Sequence, residues 1–275
     1  MEYKTVMVAL ALDRPNDGCL AVAGDLAERF GARIIGVAAS DLRAPMYFAD
    51  GDFAQKLLDE EASAIQTRLS ELESEFCGSV EKRATSVEWR SARALPVPYM
   101  LQQARAADIL VVGARSEAMV DPSVAADPND LVMQAGRPLI VVPSAVQWLD
   151  LRSVLVAWKD TREARRAVFD ALPILAAAKE VTVAEMPEQD GRRAEAVSRV
   201  ADVTAWLRGH GITANALVPD KVAAVTEQLE RIAANIGAGA VVAGAYGHSR
   251  LREWVLGGVT RHLATESRRC AFLSR

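Results

Sequence analysis

The sequence predicts an α/β protein made of two tandem, doubly wound, five-stranded parallel-sheet units, and three observations carry that expectation. First, short continuous runs of branched apolar residues recur along the chain, among them "TVMVAL" and "ILVV". Second, these runs alternate with longer stretches of helical period, and strands apolar on both faces between helices belong to parallel sheets covered on each side. Third, the chain repeats itself. "TVMVALALDRPND" and "SVLVAWKDTREARRAV" open its halves 148 positions apart when Thr5 is set on Ser153, and "ADILVVGARS" matches "AGAVVAGAYGHS" at an offset of 131. A period this long means duplicated domains rather than a solenoid.

Each element follows from period and punctuation. In the first half, strands are expected at Thr5–Leu10, Arg33–Ala38, Ser86–Arg90, Ile109–Val112 and Leu139–Val142. Helices are expected at Asn16–Phe30, Phe53–Phe76, Pro98–Ala106 and Pro128–Ala135. The second of these is drawn by Leu57, Leu58, Ile65, Leu69, Leu72 and Phe76, close to a 3.6 spacing. In the second half, strands are expected at Ser153–Ala157, Val181–Glu185, Ala214–Val218, Ala240–Gly244 and Ala271–Ser274. Its helices are expected at Arg162–Ala178, Arg192–Arg208, Val222–Ile236 and Gly258–Arg269. The unit boundaries fall at 1–143 and 152–275, with Ser144–Leu151 as linker. The fall in offset makes the second half 17 residues shorter between the matched points, and the surplus is assigned to the loop "DLRAPMYFADGDFAQ".

Composition narrows the function. The chain has 275 residues, is 51% hydrophobic and carries a formal net charge of -4 without a long basic block, which gives a nucleic-acid partner little support. The opening "MEYKTVMVALALD" lacks a basic lead-in, so no secretory leader is expected. The longest uncharged run, 18 residues from Ile232 to Ser249, holds Asn235, His248 and four glycines and reads as a helix end and a strand, not a membrane span. Cys19, Cys77 and Cys270 are too few and scattered for a disulfide framework or a metal site. A soluble, reduced, cytoplasmic protein is the expectation. His210, His248 and His262 show no metal-hydrolase spacing, and no nucleophile elbow or G-x-x-x-x-G-K-[ST] loop is present.

One loop stands apart. "GAYGHSRLREWVLGG" follows the fourth strand of the second half and places glycines at 244, 247 and 257. Ligands of doubly wound sheets sit at the carboxyl ends of the strands, where strand order reverses. A helix starting at Gly258 would offer backbone N–H groups and the positive end of its dipole to an anion. Glycines at 244 and 247 would let the backbone turn and approach phosphates.

This segment resembles the nucleotide-binding signature of the universal stress protein family, G-x2-G-x9-G-[ST]. Gly244, Gly247 and Gly257 fall on its glycines, and Val259–Thr260 match the residues that follow. The duplicated layout is similar to tandem members of that family over nearly the whole chain. The resemblance implies binding of ATP or another adenine nucleotide, with or without Mg, in a stress-response role. It implies a regulatory protein rather than an enzyme, with at most slow incidental ATP hydrolysis. Asp160, Gly244, Gly247, His248, Gly257, Gly258, Val259 and Thr260 are the candidate nucleotide contacts.

The sequence departs from that pattern in three places. Gly258 stands where Ser or Thr is usual, and Lys159 takes the place of the usual acidic residue, with Asp160 one position later. In the first half, "GARSEAMVDPSVAADPNDLVMQAG" keeps Gly113 but no second glycine three residues on, so that half reads as a mainly structural partner. Its Asp13 sits where a ligand could be met. Bland readings stand beside these. Gly244 and Gly247 could mark a strand end and turn, Gly257–Gly258 the close packing of a helix start, and Asp13 and Asp160 helix caps. The rival function is an interaction or scaffold module with degenerate sites. An internal pseudo-dimer is expected, with further homodimerisation left open.

Overall fold

The computed structural model describes residues 2–42, 51–114, 121–187, 193–220, 224–245 and 258–275. Its first five strands are β1 (Thr5–Leu10), β2 (Arg33–Ser40), β3 (Val87–Arg93), β4 (Ile109–Gly113) and β5 (Leu139–Val142). The second five are β6 (Ser153–Ala157), β7 (Glu180–Ala184), β8 (Ala214–Leu217), β9 (Ala240–Gly244) and β10 (Cys270–Ser274). Together they form one sheet in the order β3-β2-β1-β4-β5-β10-β9-β6-β7-β8. Every neighbouring pair is parallel except β5 with β10.

The ladder realises the sequence repeat. Val6 of β1 lies opposite Ile109 of β4, and Val154 of β6 lies opposite Ala240 of β9. Both offsets return: 148 from Val6 to Val154, and 131 from Ile109 to Ala240. At the seam Ile140 pairs with Phe272, while Val141–Ala271 and Leu139–Leu273 are the symmetric pairs on either side. A pseudo-twofold axis therefore passes between Ile140 and Phe272, as the duplication requires.

Helices cover both faces. α1 (Asp17–Phe30), α2 (Gly51–Val80), α3 (Pro96–Gln103) and α4 (Pro128–Gln134) belong to the first half. α5 (Arg162–Asp170), α6 (Leu172–Ala177), α7 (Arg193–Gly209), α8 (Val225–Asn235) and α9 (Gly258–Thr265) belong to the second. The period of two along β1 sends Val6, Val8 and Leu10 into the core that includes Leu26 of α1 and Phe76 of α2. Met7 and Ala9 enter the opposite core, which includes Met100 of α3 and Leu131 of α4.

Three expectations change. The helix expected over Arg162–Ala178 is two helices, because Pro173, in the first turn of α6, has no N–H to continue the ladder from α5. α9 ends at Thr265 rather than Arg269, where the Ser267 hydroxyl bonds both the N–H and the carbonyl of Arg269 and turns the chain into β10. The surplus of the first half lies largely in a helix, since α2 has 30 residues and its counterpart α7 has 17. Residues 43–50 of the loop to which it was assigned lie outside the described residues. Among the described residues no helix is long and apolar enough to cross a membrane.

Phe272 is 2% exposed at the axis, so Phe272→Ala should cost about 3–5 kcal/mol by cavity formation. Denaturant titration followed by far-UV circular dichroism measures it; an unchanged midpoint would show that the seam contributes nothing to stability.

Candidate functional site

In each half the sheet grows outward in two directions from its first strand, which places a crevice at the carboxyl ends of β1 and β4 and another at those of β6 and β9. The second crevice is bordered by the start of α5. Trp158 continues β6 by donating its backbone N–H to the Ala184 carbonyl (2.8 Å) and is buried. Thr161, not Asp160, is the residue that caps α5, its hydroxyl accepting the Ala164 N–H at 3.3 Å. The Asp160 carboxylate is half exposed and pairs with Arg165. Arg162 pairs in turn with the Glu163 carboxylate at 3.2 Å.

Deeper in, Glu185 just past β7 is 7% exposed and is gripped by Arg199 of α7, whose Nε lies 3.0 and 3.1 Å from its two oxygens. That bonding to Glu185 raises the Arg199 pKa, and the charges of Glu195 and Asp160 add to the effect. Sequence reading did not single out Arg165, Glu185 or Arg199; the pairing of a strand-end acid with a helix arginine 14 residues on has no local signature.

Gly244 ends β9 against α5. A Cβ there would meet the Ala164 nitrogen at 2.4 Å and the Glu163 carbonyl carbon at 2.5 Å. Helix and strand approach too closely for any side chain, so packing alone accounts for this glycine. Gly258 is different: it is exposed as the first residue of α9, and among the described residues a Cβ would meet nothing within 4 Å. Because α9 leads into β10, which is parallel to β9, it runs back along the sheet and its first turn stands at the strands' carboxyl end. Val259 is half-buried and Thr260 is 4% exposed, so Thr260 is part of the packed face of α9. Gly247, His248 and Gly257 lie outside the described residues. His262, one turn along α9, faces Glu230 of α8 rather than the crevice mouth.

The crevice of the first half is filled by its own chain. Asn16 folds back on the β1–α1 loop, its amide accepting from Ala11 N–H and donating to the Ala11 carbonyl, both at 2.9 Å. It therefore gives α1 no side-chain cap. Asp13 does not cap either; it pairs with Arg14 at 3.0 Å. The segment following β4 then crosses the strand ends: Val124 O accepts from Leu12 N–H (3.3 Å) and Ser123 O from Asp41 N–H (3.0 Å). What remains is a cavity of about 30 Å³ lined by Arg14, Asn16, Cys19, Gly113 and Ala125 among others, room for about one water. Burial pushes the Cys19 thiol up to about 12 and that of Cys270 likewise. Arg14 is the charged residue of this lining, and its guanidinium pairs with Asp13 and donates to the Ala114 carbonyl at 3.2 Å.

No protein-family model matches the sequence, and no curated protein does. Solved structures do. A universal stress protein from Archaeoglobus fulgidus DSM 4304 superposes with a TM-score of 0.72 over 98% of both chains at 15% identity. The fold is that of the tandem universal stress proteins. The cytoplasmic domain of a prokaryotic cation chloride cotransporter also matches, at TM-score 0.52 and 11% identity over 98% of this chain and 94% of its own, so the architecture is not reserved to one role. A universal stress protein solved in complex with cAMP aligns with only 53% of this chain at TM-score 0.34, too loosely for its ligand to be carried over.

Two outcomes follow from the strand ends. Gly244→Ala should lower stability by about 1–3 kcal/mol through forced displacement of α5, whereas Gly113→Ala, whose Cβ would stand 3.6 Å from Cys19 Sγ, should leave it within about 0.5 kcal/mol. Paired urea titrations compare them, and equal losses would contradict the packing account. Native protein should also resist thiol alkylation at Cys19 and Cys270 near neutral pH, because the thiolate is scarce and shielded. Peptide mapping after timed alkylation should find Cys77 modified first.

Proposed function

We propose that the chain is a stress-response regulator of the universal stress protein family that binds one adenine nucleotide, ATP or a close relative, in the unit spanning 152–275. The unit spanning 1–143 is its structural partner. The observation that carries this reading is the contrast between the two strand-end crevices. One is crossed by its own backbone; the other is bordered by the start of α5, where Arg162 and Arg165 pair with Glu163 and Asp160. The glycine spacing at 244, 247 and 257, the backbone N–H groups at the start of α9 and the positive end of its dipole support phosphate binding there. The protein acts by occupancy, in the cytoplasm, with no turnover beyond slow hydrolysis. Nucleic acid is not its partner.

A specific observation favours a second reading. Packing against α5 accounts for Gly244 without any ligand, which suits a scaffold whose crevices bind nothing.

Calorimetric titration with Mg-ATP separates the two. One equivalent of ATP should bind to the wild type, and Gly257→Val should weaken it at least tenfold, about 1.4 kcal/mol. Gly113→Val should leave binding nearly unchanged, with circular dichroism confirming that it folds. Gly258→Ser, whose Cβ would meet none of the described atoms within 4 Å, should tighten binding by adding a hydroxyl donor. Absence of heat with ATP, ADP and AMP alike would establish the scaffold reading, and loss of binding in Gly113→Val alone would move the site to the first unit.

A further inference from the structure

Both ring nitrogens of His262 face carboxylates. Nε2 lies 2.9 Å from Glu230 Oε1 on α8, and Nδ1 lies 3.1 Å from Glu266 Oε2 just beyond α9. The ring is 16% exposed, and the second Glu230 oxygen accepts from Arg269 Nη1 at 2.6 Å. A neutral imidazole carries one N–H; only the imidazolium donates at both nitrogens. In the neutral ring one nitrogen lone pair must oppose a carboxylate oxygen at about 3 Å, so one of the two contacts turns repulsive.

From this geometry we propose that His262 is a proton-operated clamp that fastens α9 to α8. The other ionisable side chains of the packed elements are Glu227 and Arg231 on α8, Arg261 on α9, Asp130 on α4 and Cys270 on β10. Among the described residues the ion pairs of His262 are those with Glu230 and Glu266. Arg269 is permanently charged and holds the far oxygen of Glu230 at every pH, so it fixes the carboxylate without itself switching. The charged ring stabilises the folded state, so the clamp is closed at low pH. It opens when the ring gives up a proton, because the nitrogen left without an N–H then faces a carboxylate oxygen.

The consequence for function rests on the nucleotide reading above. The first turn of α9, Gly258–Thr260, is one helical turn from His262 and carries the backbone N–H groups assigned to phosphate. A helix held in place has less freedom to lose on binding, so acidification tightens the nucleotide site. The signal recognised would be a fall in pH.

Hydrogen exchange measured by mass spectrometry, with labelling times scaled for the intrinsic pH dependence, tests the clamp without any nucleotide. Between about pH 5.5 and about pH 8 the α9 peptide of the wild type should lose protection several-fold, with an α1 peptide as control. His262→Gln should show no such pH response. Glu266→Gln should keep high protection at both values, because the new amide can donate to a neutral ring nitrogen. Equal wild-type protection at both pH values, or an unchanged pH response in His262→Gln, would overturn the clamp. Titrations with ATP at the two pH values then test the coupling: the ratio of dissociation constants should be about threefold larger in the wild type than in His262→Gln. An equal ratio would overturn the coupling, and absence of binding with the exchange result intact would fault the nucleotide reading while leaving the clamp standing.

Discussion

The antiparallel pairing of β5 with β10 is the constraint on which the rest depends. Each half is a five-stranded parallel sheet whose last strand would otherwise present a row of unpaired N–H and C=O groups. β5 is four residues long and fully buried, and Phe272 and Ile140 at the centre of the seam are 2% and 1% exposed. Pairing removes both edges at once and merges the two sheets. It also fixes where ligands could go. Strands of the two halves run in opposite directions, so the crevice at β1 and β4 and the crevice at β6 and β9 open at opposite ends of the strands. The two sites cannot share a ligand, and each must be judged by its own residues.

Judged that way, the halves have parted. Their ladders superimpose residue on residue, yet the chemistry at the strand ends differs. After β1 the chain spends Asn16 on its own loop and lays Ser123 and Val124 over the crevice. After β6, Thr161 caps α5 locally, and Asp160 and Glu163 pair with Arg165 and Arg162. A buried backbone carbonyl needs a donor wherever it lies. In the first half Leu12 and Asp41 supply those donors, so the covering segment closes the crevice with bonds a ligand would have to displace.

Most of the fold was legible because it depends on short-range pattern. Runs of branched residues marked inner strands such as β1 and β4 but not the outer β3 and β8, and the offsets of 148 and 131 tied β1 to β6 and β4 to β9. The break between α5 and α6 was written as Pro173 but hidden by an apolar period that runs through it. The length of α2 was hidden because a helix that extends beyond the core need not keep an apolar stripe. The site was less legible. The closeness of Gly244 to Ala164 joins residues 80 positions apart, and the bonds of His262 to Glu230 join different helices. No periodicity encodes such pairs, and the caps offered by Asp13 and Asp160 gave way to ion pairs with Arg14 and Arg165.

The glycines of the second half are therefore unequal witnesses. At Gly244 the neighbouring helix forbids a side chain, and a glycine would be needed there whether or not anything bound. At Gly258 the described neighbours forbid nothing, and Ser or Thr would begin a helix better than glycine does. Among the described residues nothing requires a glycine at 258, and helix propensity does not favour one. Gly258 is the weaker match to the family pattern and yet the position whose choice the described packing does not explain.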